Sequence, residues 1–339
     1  MASLYPLQFE PLLKQYLWGG RRLGTLLGKP LEGENDPSSD DWAESWEVVD
    51  HADGQSVVAN GPLAGKTLAD LVRDHRDELL GRHTHQISDR QPRFPLLFKL
   101  LDANRTLSVQ VHPNDDQAAK LQPPDLGKTE AWVVLQAAPG AKIYAGLREG
   151  VDQGVLAAAI QAGACDECLH VIEPAIGECV LIPARTVHAL GEGLVIAEIQ
   201  QSSNTTYRLF DWNRAGKDGR PRPLHIEESL AVTDYERGPI EPQMPAELGP
   251  GLERLVECDK FVLDRRSLAA GSPAQGASVE LPADNRFHIL STIIGEATLT
   301  HAGTETPIPL GTTVLAPAVS GGGVLSTNHG ATVLDMYLP

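Results

Sequence analysis

Four residues of this sequence have the types and spacing of a metal centre: Gln110, His112, Glu130 and His188. In Ser108-Val-Gln-Val-His112 alternate side chains of a strand fall on one face. Gln110 and His112 then stand about 7 Å apart at Cα, from a rise of ~3.4 Å per residue. That suits two ligands of one ion. Glu130 opens the next stretch of strand character, and His188 follows Pro183 in Gly-Glu-Cys-Val-Leu-Ile-Pro-Ala-Arg-Thr-Val-His. Two imidazoles, a carboxylate and an amide oxygen fit a catalytic zinc that keeps a position open. The same set fits iron(II) held by two histidines and a carboxylate, so ligand type alone does not choose the metal. Taken singly, each residue reads as a polar group at a strand end.

These side chains need strands to hold them. Residues 94–103 form an apolar run suited to a buried strand, and residues 107–112 alternate. Residues 131–136, 178–183 and 194–201 are further strands, each closed by Gly, Pro or polar residues. Helices are expected at 67–80, with Thr67 and Asp70 at capping-box spacing, at 114–121, and at 151–162 before Gly163. Residues 238–251 are rich in Pro and Gly without periodicity and read as a linker. Short strands follow it, so two units are expected, 1–240 and 241–339, the second a small sandwich or barrel. Gly321–Gly323 lack the Lys-Ser/Thr of a phosphate loop and read as a turn. The 32 Gly and 25 Pro with few aromatics agree with a mainly β chain.

The formal net charge of −17 argues against nucleic acid or an anionic membrane as partner. An anionic ligand would need a local cluster of Arg and Lys. No run of about 18 apolar residues is present, and the first residues do not read as a signal peptide. Cys165, Cys168, Cys179 and Cys258 are expected as free thiols in a reducing cytoplasm. Cys165-x-x-Cys168 with His170 nearby has a metal or redox reading and a plainer one, a helix-to-strand turn carrying two thiols. Trp18, Trp42, Trp46 and Trp132 could stack on a sugar, though core packing suits most of them.

The segment Gly177-x5-Pro183-x4-His188 resembles the second motif of the cupins, and Gln110-x-His112 with Glu130 resembles a variant of the first. With them stand Trp18-Gly19-Gly20, Ala43-Glu44-Ser45-Trp46-Glu47, Pro95-Leu96-Leu97-Phe98-Lys99, Gly127-Lys128-Thr129-Glu130-Ala131-Trp132 and the run from Gln200 to Asp211. Together these blocks resemble the type I phosphomannose isomerases, in their short bacterial form. The resemblance covers most of the first 215 residues; the last hundred match only in general character. It implies a cupin (jelly-roll) catalytic domain with a few helices and a C-terminal cupin-like β domain. It implies one Zn²⁺ per chain on Gln110, His112, Glu130 and His188. Ser108, Lys128 and Arg208 fall on positions that meet the sugar phosphate, Lys128 and Arg208 with catalytic roles, and Arg214 is a further basic candidate.

The implied reaction interconverts mannose 6-phosphate and fructose 6-phosphate through a cis-enediol, in a monomer or small homo-oligomer. The general base is not identified by the sequence. Competing readings are a cupin acting on unphosphorylated sugars, an iron-dependent cupin oxygenase, and a non-catalytic sugar-binding or regulatory cupin. In one place the chain departs from the family: Arg185 stands where Gly is usual. Either the turn uses ordinary dihedrals, or Arg185 is strained for a purpose such as phosphate contact.

Overall fold

The computed structural model describes residues 3–31, 41–81, 93–215, 219–270 and 276–339. Three large antiparallel sheets dominate it. A six-stranded sheet runs in the order Cys179–Ile182, Glu130–Ala137, Leu194–Gln201, Leu96–Ala103, Trp42–Val48, Leu12–Gly20. A five-stranded sheet runs Leu169–Ile172, Ile143–Leu147, His188–Leu190, Val109–Val111, Tyr207–Phe210. The two pack together through Leu101, Trp132, Val134 and Ile196 from the first, and Ile143, Ala145 and Leu190 from the second.

The other face of the six-stranded sheet is also covered. Phe98, Leu100, Val133, Ala197 and Ile199 pack there with Leu71 and Leu79 of a helix and with Leu263, Ile289 and Met336 of the third sheet. Burial on both faces explains why residues 96–103 and 194–201 are largely apolar rather than alternating. Helices Gln153–Ala162 and Ile226–Val232 cover the outer face of the five-stranded sheet through Leu156, Ile160 and Val232.

The third sheet includes His288–His301, Ala331–Tyr337, Val262–Leu268 and Leu252–Glu257. Its far edge is Ala246–Gly249, inside the stretch expected to be a linker. That strand is held by backbone pairing, and its side chains stay largely exposed, so no apolar pattern announces it. At the opposite edge lies Leu7–Gln8, with Leu7 paired to Leu315 and Gln8 to Val314.

The expected helices form, with differences at their ends. Leu68–Leu80 is capped by Thr67 and Asp70 in reciprocal hydrogen bonds, and Gly81 ends it. The second is shorter than expected, Asp115–Ala118, because its capping box of Asn114 and Gln117 is followed by turns rather than a further apolar face. Thr67→Ala removes one half of the first capping box, and about 1 kcal/mol of stability is expected to go with it. Denaturant unfolding of the two proteins measures this.

Cys165–Cys168 form a short 3₁₀ turn between helix Gln153–Ala162 and strand Leu169–Ile172. Burial pushes the Cys165 thiol up to about 12 and raises Cys168 as well. His170 pairs with Glu241 instead of facing the thiols as a ligand. The plainer reading of this motif therefore holds.

Candidate active site

Strand register assembles the metal centre. His188 lies directly opposite Gln110, and Arg208 lies opposite Gln110 on the other side, so three neighbouring strands present these side chains in one row. His112 follows at the end of the central strand of that row, and Glu130 begins a strand of the facing sheet. Glu130 Oε1 is 3.2 Å from His188 Nε2, and Oε2 is 3.6 Å from His112 Nε2. Among the described residues this triad is the one group of three or more His, Cys, Asp or Glu able to share an ion.

The surroundings fix each ring. His112 Nδ1 lies 2.9 Å from the Thr205 carbonyl, and His188 Nδ1 lies 2.9 Å from the Thr186 carbonyl. A carbonyl only accepts, so each Nδ1 carries the proton and Nε2 is left for a ligand. Both histidines and Glu130 are almost fully buried, yet among the described residues His112 Nε2 and Glu130 Oε1 have no hydrogen-bond donor, and Glu130 Oε2 meets only the Lys128 ammonium. Buried acceptors left bare and facing one another are costly unless a cation meets them. The donor set and its separations fit one divalent ion at ~2.0–2.2 Å per ligand. Gln110 presents its amide to His188 Nε2 at 3.2 Å. With a cation present, rotation of that amide would turn its oxygen inward, since O and N are interchangeable in shape.

Burial holds the His112 imidazole well below its usual range, and the Lys128 charge adds to this, so the ring is neutral and able to ligate. Burial opposes ionisation of Glu130, but Lys128, with Nζ 3.1 Å away, outweighs it and keeps the carboxyl well below the usual range.

Beside the triad is a cavity of about 240 Å³ whose lining includes Ser108, Gln110, Lys128 and Arg208. Tyr16 and Trp18 also line it, stacked with ring centroids 5.7 Å apart, whereas Trp46 is core. Arg208 Nε donates to Ser108 Oγ at 3.2 Å. Arg214 is not among the lining residues: it binds Asp211 through Nε at 2.9 Å and the Thr106 carbonyl through Nη1.

Among the lining residues that sequence reasoning missed are Lys99 and Glu198. They are paired in register on adjacent strands, with Lys99 Nζ 3.1 Å from Glu198 Oε1. Lys128 Nζ lies 4.0 Å from the same oxygen, and Trp132 Nε1 donates to Oε2 at 3.2 Å. Glu44 flanks Lys99 at 3.8 Å. Charges thus alternate from Glu44 through Lys99, Glu198 and Lys128 to Glu130. Burial raises the Glu198 carboxyl to about 7, the neighbouring lysines opposing the rise. For Lys99 burial works against the charge, but Glu198 and Glu44 prevail and raise it. The available signal was a charge inside an apolar strand, in Phe98-Lys99-Leu100 and Ala197-Glu198-Ile199.

Arg185 does take a left-handed backbone, with φ of 74°. A non-glycine residue there costs roughly 1–2 kcal/mol. Its side chain turns away from the cavity: Nε donates to the Val232 carbonyl at 3.0 Å, and Nη1 is 3.6 Å from Asp234. The contacts that offset the strain are therefore with the end of helix Ile226–Val232.

A buried His-Glu-His triad between two facing antiparallel sheets, with an open cavity beside it, defines a metal-binding cupin. The sequence profile of the phosphomannose isomerase type I catalytic domain matches residues 6–130. Mannose-6-phosphate isomerase ManA of Bacillus subtilis is 34% identical over 92% of this chain and 93% of its own length. The mannose-6-phosphate isomerase of Streptococcus mutans is 40% identical over 67% of each chain. The crystal structure of the Bacillus subtilis mannose 6-phosphate isomerase superposes with a TM-score of 0.85 at 28% identity, covering 99% of this chain and 100% of that one. The chain belongs to the type I phosphomannose isomerase family.

Proposed function

We propose that this protein is a zinc-dependent isomerase that interconverts mannose 6-phosphate and fructose 6-phosphate. The observation that carries the reading is the buried His112-Glu130-His188 triad set beside a cavity that Gln110 and the Lys99-Glu198-Lys128 row line. Gln110, His112, Glu130 and His188 hold one Zn²⁺, which supplies Lewis acidity toward negative charge building on a sugar oxygen. Every other part of the reaction falls to side chains.

Isomerisation removes the proton from carbon 2 of the open-chain aldose, passes through the cis-enediol, and returns a proton to carbon 1. Glu198 is the group for that transfer. A carboxyl near 7 exists in both protonation states at neutral pH, which suits a base that must also give the proton back. Lys128 supplies positive charge at the developing enediolate, and Lys99 holds Glu198 in place. Arg208, fixed by Ser108, takes the phosphate; Arg214 acts at one remove, through Asp211. A division near residue 240 and a cytoplasmic setting complete the proposal; among the described residues no helix is long and apolar enough to cross a membrane.

The test is a coupled assay that follows fructose 6-phosphate formed from mannose 6-phosphate. Turnover is expected to vanish with a chelator and to return with zinc. No turnover by the zinc-replete protein would sink the reading. Equal efficiency on free mannose would remove the phosphate from it, and oxygen uptake restored by iron would point to an oxygenase.

A further inference from the structure

The third sheet has two faces of opposite character. Along its strands Leu263, Ile289, Leu334 and Met336 turn toward the six-stranded sheet and enter the large shared core. The residues between them turn the other way, toward strands Ala277–Leu281, Thr304–Pro309 and Gly323–Thr327. On that side Leu268, Leu290 and Val333 pack with Leu281, Ile308 and Leu325. In phase with these apolar residues stand Asp264, Arg266, His288 and Asp335, all buried, where alternation calls for more core.

Beside this charged row lies a cavity of about 1000 Å³, lined in part by Arg254, Asp264, Arg266 and Tyr337. It shares no lining residue with the cavity beside the His112-Glu130-His188 triad. We propose that it is a second ligand site, which takes a small hydroxylated oxyanion, a phosphate monoester or a hydroxycarboxylate, on Arg266.

Arg266 is only 5% exposed, yet its donors are not all used. Its Nε donates to Asp335 Oδ2 at 2.8 Å, and among the described residues neither Nη makes a hydrogen bond. A polar side chain buried this deeply is rarely left with bare donors. Because Arg266 lines the cavity, those donors face an occupant. A guanidinium held along one edge by a carboxylate presents the rest of its fork to a carboxylate or phosphate.

The other charges of the row occupy one another. Asp264 and Asp335 are direct partners on neighbouring strands, a repulsive placement that needs cations. Arg254 Nε donates to Asp264 Oδ1 at 2.6 Å, and Tyr337 Oη donates to Oδ2 at 2.7 Å. Asp335 Oδ1 lies 2.6 Å from His288 Nδ1, and Asp284 lies 3.4 Å from Nε2 of the same ring. Burial opposes a charge on His288, but Asp335 overrides it and raises the ring to about 9. Asp335 is therefore shared between two cations, and Arg266 is only half neutralised. Glu280, exposed at the rim, can accept from hydroxyls of the same ligand, and Leu252 and Leu281 offer contact to its carbon skeleton. The cavity is large enough for a metabolite.

The alternative is that the row only ties its strands together. Titration calorimetry of the zinc-replete Arg208→Ala protein, in which the proposed phosphate contact of the catalytic cavity is removed, separates the two. Glycerol 3-phosphate and malate are the probes, and the tighter of them tells phosphate monoester from carboxylate. At least one is expected to bind, and adding Arg266→Gln is expected to weaken it about 10- to 100-fold. Should the double variant fail to fold, hydrogen exchange of Arg208→Ala with and without the probe decides. Protection is then expected in Val262–Leu268 and Ala331–Tyr337. No binding of either probe below about 10 mM would overturn the site. So would an affinity that Arg266→Gln leaves unchanged, as for an anion held at the metal, or protection confined to the strands of the triad.

Discussion

Replacing His188 with alanine is expected to abolish zinc retention and to cut isomerase turnover by well over ~100-fold. Loss of a group that merely orients a metal ligand already costs about 10- to 100-fold in affinity or activity, and His188 is itself placed as a ligand. Its Nε2 is 3.2 Å from Glu130, its Nδ1 is held by the Thr186 carbonyl, and its strand partner is Gln110. Without it, Glu130 falls back on its ion pair with Lys128. Metal analysis after gel filtration gives the first readout and the coupled assay the second. An unchanged zinc content in the variant would mean that the ion sits elsewhere.

The second large effect is expected at Glu198. Glu198→Gln keeps the shape, and its amide oxygen can still accept from Trp132 Nε1. What disappears is a group that can lose and regain a proton near neutral pH. A fall in kcat of about 10²- to 10⁴-fold follows for a lost general base, with zinc content unchanged. The sign of the pH dependence is set by the form required. The base must be ionised, and burial raises its carboxyl to about 7, so wild-type kcat/KM rises as pH increases toward neutrality. The midpoint falls at or below that value with zinc bound, because a nearby cation favours the carboxylate. The variant's profile should lack this acidic limb. A limb that persists in Glu198→Gln would assign the base elsewhere. Lys99 keeps Glu44 as a partner at 3.8 Å, so it is not left wholly unpaired.

The sequence made one side of the site readable and left the other obscure. Gln110 and His112 could be seen because strand alternation is a local rule, and the structure places Val109–Val111 as that strand. Which strands stand beside it was not local. His188, Gln110 and Arg208 come into one row through register between segments far apart in the chain. Lys99 and Glu198 were obscured by their apolar neighbours, which pattern reading treats as core. The edge strand Ala246–Gly249 was hidden because backbone pairing leaves no trace in exposed side chains. Arg185 was legible as a departure, but the direction of its side chain depended on helix Ile226–Val232, which sequence reading did not anticipate.

The short strand Leu7–Gln8 bears on how the chain comes off the ribosome. Leu7 is fully buried in the largest core, and its backbone partner is Leu315. At ~5–20 residues per second, that partner is made on the order of 15 to 60 s after Leu7 itself. Until then Phe98, Ile199 and the rest of that face lack Ile289, Leu315 and Met336 to cover them. The nascent chain therefore carries an incompletely covered apolar sheet face until the strands His288–His301 and Ala331–Tyr337 emerge to close it.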